Sequence, residues 1–138
     1  MTQLAPNSKL IQAIPAQAAT ATVTGAALDL SGYDRALVTL NVGTMTGTSP
    51  TLDVKVQSSA TSGGTYADIT GAAFAQVTTT NDVAAYMGEI RINAAKPFLK
   101  VISTIAGTTP SVPHSVDIHA YETSLLRQIA APAFDVAA

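Results

Sequence analysis

Hydrophobic and polar residues alternate along much of this 138-residue chain. The clearest example is the run Thr51–Gln57, where Leu52, Val54 and Val56 would point to one side of a strand and the residues between them to the other. A period of two is typical of a β-strand that has one face in the core and one in solvent. The pattern therefore predicts a half-buried antiparallel sheet.

The next segment, Ser58–Thr65, is small and polar, and it contains the pair Gly63-Gly64. Glycine adopts positive φ without steric cost, so the chain can reverse its direction there. Apolar positions resume at Tyr66 and Ile69. The whole stretch Thr51–Phe74 therefore predicts a β-hairpin with a long loop.

Similar short runs fill the rest of the chain, separated by Gly, Pro, Asn and Thr residues that mark turns. No segment shows the 3.6-residue period of a helix over a useful length. The runs lie at residues 20–24, 27–30, 35–42, 75–79, 83–93, 98–105 and 116–121. With the hairpin they predict about eight or nine strands. The expected fold class is all-β, a single antiparallel β-sandwich of jelly-roll-like or Greek-key form.

The length of 138 residues is enough for one core and too short for two ordinary domains. Residues 1–19 contain two prolines and predict an extended N-terminal arm with one edge-strand segment. Residues 20–122 are assigned to the β-sandwich domain. Residues 123–138 are Ala-rich, include Pro132 and predict a C-terminal tail that docks on another surface.

One short motif occurs twice. The segment Gly47–Pro50 reads Gly-Thr-Ser-Pro and the segment Gly107–Pro110 reads Gly-Thr-Thr-Pro, and each is interpreted as a loop between two strands. Two interpretations stay open. Such loops recur by chance in a Thr-rich chain, or they belong to two equivalent hairpins related by pseudo-symmetry, as in jelly rolls.

Only 12% of the residues are charged and the net charge is −2. An ordinary soluble domain has about 25% charged residues. The seven Lys and Arg residues are scattered, which argues against nucleic acid as a partner, because phosphate binding needs clustered basic side chains. Interface cores are depleted of charge, so the composition favours contact with other proteins.

The chain has no Cys and therefore offers no disulfide, thiolate metal site or Cys nucleophile. Its first residues lack a basic segment followed by an apolar run, and no stretch reaches the roughly 18 apolar residues of a membrane span. We therefore expect a protein made in the cytosol, with no membrane as a partner.

Residues that carry chemistry are sparse. His114 and His119 are the only histidines and, five residues apart on a strand, they would point to opposite faces, so a shared metal ion is not expected. We place His119 on the solvent face of a strand and His114 in a loop. Acidic residues are scattered and no catalytic or phosphate-binding motif occurs. The sequence therefore predicts no enzyme activity, no catalytic or metal-binding residue and no cofactor.

Two charged pairs occur on predicted solvent faces, Asp53 with Lys55 and Glu89 with Arg91. We interpret them as solvated surface charge of little energetic weight. The four tyrosines stand near predicted strand ends. They are expected to pack at the edge of the core with hydrogen-bonded hydroxyl groups, although sugar stacking or an interface role is an alternative.

Several segments of the hairpin and the following strands carry a family resemblance. They are Val54–Ser59, Gly63-Gly64, Thr65–Ile69 with Phe74, Gly88–Ile92, Phe98–Val101 and Gly107–Pro110. Over about residues 35–121, this pattern resembles that of small virion proteins of tailed bacteriophages, which include capsid decoration, or cement, proteins.

The resemblance implies a β-sandwich or jelly-roll domain on the outer surface of the capsid shell, where it bridges capsomers. The implied partners are the major capsid protein and further copies of the chain, often as a trimer. The implied location is the virion, after synthesis in the host cytoplasm. Two alternatives are a tail, neck or baseplate component and a jelly-roll carbohydrate-binding module. The chain lacks the Trp platform and the carboxylate-rich Ca²⁺ loop that such modules often use.

Extended arms suit a lattice-binding protein, because they add strands or hydrophobic plugs to neighbours. We hypothesise that apolar side chains of the two terminal segments bury against neighbouring subunits. The candidate interface residues are Leu10, Ile11, Ile14, Leu125, Leu126 and Phe134. Deletion of residues 1–16 is expected to lower the occupancy of assembled capsids.

Overall fold

The computed structural model describes residues 8–122. Within this range the chain forms eight strands and no helix. The strands are β1 (Ser8–Ala19), β2 (Val23–Thr24), β3 (Leu28–Asp29), β4 (Arg35–Val42), β5 (Thr46–Ser59), β6 (Ala67–Ala73), β7 (Ala84–Arg91) and β8 (Phe98–Tyr121). All strand pairs are antiparallel, and the all-β prediction is confirmed.

The strands form two sheets that share β8. Sheet I consists of β1, the second half of β8 (residues 112–121), β4 and β7, in that order. Sheet II consists of β6, β5 and the first half of β8 (residues 98–106), followed by β2 and β3 on the far side of β8. The result is a jelly-roll-like β-sandwich that curls almost into a barrel.

The core lies between the inward faces of the two sheets and is aliphatic. Leu52, Val54 and Val56 are buried, as their alternation predicts, and β5 and β6 form the expected hairpin. β4, β7 and β8 contribute the matching inward rows. The fully buried large side chains are Ile14, Leu30, Val38, Leu40, Leu52, Val54, Val77, Leu99, Val101, Val112, Val116 and Ile118. Aromatic rings pack only at the margin of this cluster.

The repeated Gly-Thr-Ser/Thr-Pro motif lies where the chain passes from one sheet to the other. Thr48 of β5 pairs with Thr108 of β8, so the two copies are neighbours within one ladder rather than loops between strands. Both copies have the same backbone, with φ of 115° and 121° at Gly47 and Gly107. The residue two positions after each of these glycines has φ of 51°. The motif therefore makes a pair of strand bends related by a pseudo-twofold axis.

These bends belong to one long, bent antiparallel ribbon. β4 and β5 form one of its edges and the whole of β8 forms the other. The backbone N–H of Gly43 donates to the carbonyl of Pro113 at 2.8 Å. This hydrogen bond continues the pairing with β8 through the short segment that joins β4 to β5. Corresponding positions in the two edges are 60 residues apart (107 − 47). The ribbon ties sheet I to sheet II and positions the outer faces described below.

Residues 8–19, which the sequence places in an extended arm, form the edge strand β1 of sheet I. Ala13 and Ile14 of this strand are buried in the core. Pro15 lies at a register irregularity between Ile14 and Gln17, as expected for proline in an edge strand. The segment is therefore part of the sheet from the first described residue, Ser8, and residues 1–7 and 123–138 lie outside the described range.

Two local predictions are wrong. Residues 75–79 do not form a strand; only a single bridge joins Val77 to Leu52, and Val77 is fully buried there. His114 is not in a loop, because β8 continues through it. Pro110 and Pro113 before His114 resemble turn signals, but here they accompany a bend in an extended chain.

Candidate interaction surfaces

The outer face of sheet I is the broadest regular surface of the described chain. It is formed by the alternate residues of β1, β8, β4 and β7 that point away from the core. One cross-strand row consists of Leu10, His119, Leu37 and Glu89. The next row toward the middle of the sheet consists of Gln12, Asp117, Thr39 and Met87.

A polar cluster fixes one end of this face. The guanidinium of Arg35 donates to the carboxylate of Glu89 at 3.0 Å, and the hydroxyl of Tyr121 donates to the other oxygen of the same carboxylate. The ring of His119 stands edge-on to that of Tyr121, with centroids 6.2 Å apart. The hydrogen bond to Glu89, followed by partial burial, raises the pKa of Tyr121 above its usual 10.0. These side chains are therefore held in place before any partner binds.

Two large apolar side chains stand out on the same face. Leu10 on β1 is 73% exposed and Met87 on β7 is 69% exposed. They lie on opposite edge strands, three strand spacings apart, which corresponds to about 14 Å across the sheet. A partner that covered this face would therefore bury both side chains.

The fold gives the three predicted interface residues of the N-terminal segment different degrees of burial. Leu10 is exposed, Ile11 packs partly against the core, and Ile14 is fully buried within this chain. Ile14 points inward because a bulge in β1 shifts the register after Gln12. Ile14 is therefore a core residue and not a contact residue. Leu125, Leu126 and Phe134 lie outside the described residues.

The solvent face of the β5–β6 hairpin is organised around Asp68. Its carboxylate accepts hydrogen bonds from Gln57 at 2.8 Å and from Lys55, whose ammonium lies 3.0 Å from one carboxylate oxygen. These bonds, that of Gln57 first, lower the pKa of Asp68. Lys55 is therefore paired across the hairpin and not with Asp53, which instead accepts a hydrogen bond from Gln76 at 2.9 Å.

A buried serine and histidine form the most unusual polar contact in the described chain. The Nε2 atom of His114 lies 3.0 Å from the hydroxyl of Ser103, and Nδ1 lies 3.0 Å from the carbonyl oxygen of Val112. The pair joins the two halves of β8 across the bend. Both side chains are buried, and their contact links the two halves of β8 within the core.

The alternation along β8 contained the signal for this contact. Ser103 lies two residues from Val101 and from Ile105, and His114 lies two residues from Val112 and from Val116. A strict period of two places both polar residues on the inward face. Pro113 lies between these positions and resembles a turn signal, although β8 continues through it.

The edge strands β6 and β7 face each other across a gap in the wall of the sandwich, which we call the β6–β7 seam. In the described chain β6 pairs only with β5, and β7 pairs only with β4. Val38, Val56 and Ile90 line the floor of the seam, and Phe74 closes one side of a cavity of about 130 Å³. At the opposite end the seam opens beside Ile92.

Residues 8–122 contain neither a cluster of metal-ligating side chains nor a membrane-spanning helix. Among residues 8–122, no three His, Asp or Glu side chains are grouped closely enough to hold a metal ion. Over the same range, the chain has no helix with the length and apolar character needed to cross a membrane.

No protein-family model and no curated protein sequence matches the chain. Several solved structures do share its fold. The PBSX exported protein XepA superposes with a TM-score of 0.58 and 9% identity over 88% of this chain. The match spans 39% of the length of XepA.

Two further structures are less similar in backbone. The SPBc2 prophage-derived protein YomS has a TM-score of 0.49 and 14% identity, covering 87% of this chain and 96% of YomS. A family 22 carbohydrate-binding module of Clostridium thermocellum Xyn10B has a TM-score of 0.47 and 20% identity, covering 83% of this chain and 71% of the module. At these identities the likeness concerns the fold alone.

Proposed function

We propose that this protein is a non-enzymatic structural component of a tailed-phage virion that binds the outer capsid shell and stabilises it by bridging capsomers. The observation that carries the proposal is the outer face of sheet I. There Leu10 and Met87 expose apolar surface on either side of a polar cluster that is already hydrogen-bonded. Side chains fixed in advance lose little conformational entropy when a partner covers them.

The chemistry of this face suits a protein partner. Arg35 and Glu89 form an ion pair, and Arg91 and Asp117 add one charge of each sign, so the face has neither the positive charge that nucleic acid requires nor a strong field of either sign. Apolar anchors beside satisfied polar groups are the usual composition of a protein interface. The phage resemblance of the sequence supports a virion shell made of the major capsid protein as the partner, and the β-sandwich fold is compatible with such a role.

Point variants test this proposal better than deletion of residues 1–16, because that deletion removes most of β1 and the buried Ile14. The double variant Leu10→Ser/Met87→Ser removes both apolar anchors. Val83→Ser is the matched control, since Val83 is 65% exposed and lies before β7. Burial of one large aliphatic side chain contributes about 1.5–3 kcal/mol, so the double variant should bind capsids at least about tenfold more weakly.

Binding is measured by co-sedimentation of each purified variant with capsids that lack the protein, and the heat stability of the loaded capsids is followed in parallel. Thermal unfolding of each free variant checks that it is folded. Equal occupancy by the double variant and by Val83→Ser would contradict the proposal. A tail or neck position would use the same surface, and density for the protein in whole-particle electron microscopy distinguishes the two.

A further inference from the structure

We propose that two copies of this chain pair their β7 strands antiparallel about a twofold axis at Met87, so that sheet I continues from one copy into the other. This inference concerns the free protein and does not rest on the proposed capsid contact. It follows from the free edge of β7, from the regularity of that strand and from the way its sequence complements itself.

The edge of β7 that faces away from β4 has unpaired backbone groups. The N–H of Ile92 donates to the carbonyl of Asp34, and the register between β4 and β7 is unbroken. Hydrogen-bonded pairs alternate in an antiparallel ladder, so every second residue of β7 points its N–H and C=O groups away from β4. These residues are Ala85, Met87, Glu89 and Arg91. Within residues 8–122, β7 pairs with β4 alone, so a further strand can add at this edge.

The edge of β7 also lacks the features that usually prevent strand addition. Edge strands avoid pairing with other chains by means of Pro, bulges or very short length. β1 contains Pro15 and two register irregularities, and β6 has one irregularity in its pairing with β5. β2 and β3 are two residues long each. β7 has eight residues in regular register without Pro, and its charged residues, Glu89 and Arg91, lie at one end.

A second copy fits this edge because the sequence of β7 is complementary to itself. With the axis at Met87, residues equally far on either side of it oppose each other. Tyr86 then lies opposite Gly88 of the second copy, next to the cavity of the β6–β7 seam that Gly88 borders. Ala84 likewise lies opposite Ile90. Each inward pair joins a large side chain to a small one, and an aromatic ring over a strand glycine is a favourable cross-strand pair.

The charges select the same register. With the axis at Met87, the two Glu89 carboxylates are four positions apart along the strand, or about 13 Å. That separation exceeds the Debye length of about 10 Å at 0.1 M salt, so their repulsion is screened. An axis at Glu89 sets the carboxylates directly opposite each other. An axis at Gly88 pairs two glycines and brings the carboxylates to neighbouring positions, and an axis at Tyr86 leaves Glu89 and Arg91 beyond the end of the partner strand.

The symmetry gives the dimer one broad outer surface. The twofold axis of an antiparallel strand pair is perpendicular to the sheet, so the outer faces of sheet I in both copies point the same way. Met87, which is 69% exposed in the single chain, packs beside its counterpart at the centre of this surface. Two copies that face the same side can contact two neighbouring capsomers, which is the arrangement that bridging requires.

Cross-linking of single-cysteine variants tests the register, because the sequence has no cysteine of its own. In the dimer the Cβ atoms of the two Met87 residues are about 5 Å apart, whereas the two Ala85 residues are about 13 Å apart along the strand. A short bis-methanethiosulfonate reagent should therefore link two copies of Met87→Cys at least about tenfold faster than two copies of the control Ala85→Cys. Equal rates for the two variants would overturn the proposal.

Sedimentation equilibrium of the full chain tests the dimer itself. The parent protein should show a reversible monomer–dimer equilibrium. Met87→Lys sets two ammonium groups opposite each other at the axis and should raise the dimer dissociation constant at least about tenfold. Leu10→Lys is the matched control, since it makes the same charge change at a 73% exposed position on the opposite edge of sheet I, and it should leave the constant within about twofold of the parent value. Thermal unfolding checks that each variant is folded.

Several results would overturn the dimer. They are a parent protein that stays monomeric up to about 0.1 mM, a trimer in place of a dimer, and equal weakening by Leu10→Lys and Met87→Lys. The two proposals also fail separately. A monomer that still binds capsids would contradict the dimer but not the capsid contact, and a dimer that binds no capsids would do the reverse.

Discussion

Ser103 and His114 place two polar side chains inside an otherwise aliphatic core, one from each half of β8. Their hydrogen bonds satisfy both imidazole nitrogens. Ser103→Ala should lower the free energy of unfolding by about 1–3 kcal/mol, because it leaves Nε2 of His114 buried without a partner. Urea denaturation measures the change.

The double variant Ser103→Ala/His114→Leu completes the cycle. It removes both polar groups and keeps a side chain of similar size, so it should be more stable than the sum of the two single changes predicts. Strict additivity of the three variants would show that the contact contributes nothing to stability.

The hydrogen-bonded hydroxyl of Tyr121 should make the stability of the folded protein depend on pH in the alkaline range. Its hydrogen bond to Glu89 raises the folded-state pKa above 10.0, so the folded state retains the proton more strongly than the unfolded chain does. The resulting stability is complete below about pH 10 and is lost as pH rises through the folded-state pKa. The Tm should therefore fall more between about pH 9 and pH 12 in the parent protein than in Tyr121→Phe. Identical slopes for Tyr121→Phe and the parent would contradict the assignment.

The sequence alone predicts which residues of a regular strand point inward and which point outward, but it does not predict the hydrogen-bond or ion-pair partners of the polar residues. The alternation around Val54 needed only local information, because a strand with one wet face has a fixed period. The pairing of Glu89 with Arg35 rather than with Arg91 depends on the register between β4 and β7, which no local pattern contains. The same limit applies to the contact between His114 and Ser103.

At the scale of elements, the paired Gly-Thr-Ser/Thr-Pro bends hold the two sheets together. A Cβ atom on Gly107 would lie 2.9 Å from the carbonyl oxygen of Ser49 and 2.9 Å from the Cα atom of Pro50. Both neighbours are backbone atoms that cannot move without shifting the ribbon. Gly107→Ala should therefore lower the free energy of unfolding by more than the roughly 1 kcal/mol of a positive φ alone.

Gly71 supplies the control for that prediction. It has φ of 82° but open space around it, so Gly71→Ala carries the conformational cost without the steric one. In thermal and urea unfolding, the Gly107→Ala variant should be clearly less stable than the Gly71→Ala variant. Equal losses in the two variants would show that the close approach of the two bends is not important for stability.

The same bends show how strand residues can have the composition of a loop. Glycine followed by proline marks a turn in most sequences, since both residues impose unusual backbone angles. Here those angles bend two paired strands without ending them, and bulges of this kind use the same residue types as turns. The repeat in the sequence therefore indicates the pseudo-symmetry of the two bends. Whether each copy is a loop or a bend within a strand depends on where the partner strand lies, which the motif itself does not contain.

Because the whole molecule carries little charge, the proposed capsid contact should depend only weakly on salt concentration, unlike a contact held by charges. The net charge is −2 and the anchors of the proposed capsid contact are Leu10 and Met87. Interactions between exposed charges weaken strongly as salt rises from about 0.1 M to 1 M, whereas burial of apolar surface does not. Under the proposed function, capsid occupancy should change less than about threefold between about 0.05 M and 0.5 M NaCl.

Co-sedimentation at a series of NaCl concentrations measures this dependence. Arg35→Gln removes one side of the ion pair with Glu89 on the same face and is the control, because it leaves one carboxylate without its cationic partner. Uncompensated charge in a contact makes binding depend on ionic strength, so the variant should show a steeper salt response than the parent. A steep loss of the parent protein with rising salt would contradict an interface anchored by apolar side chains and would favour charge-driven attachment instead.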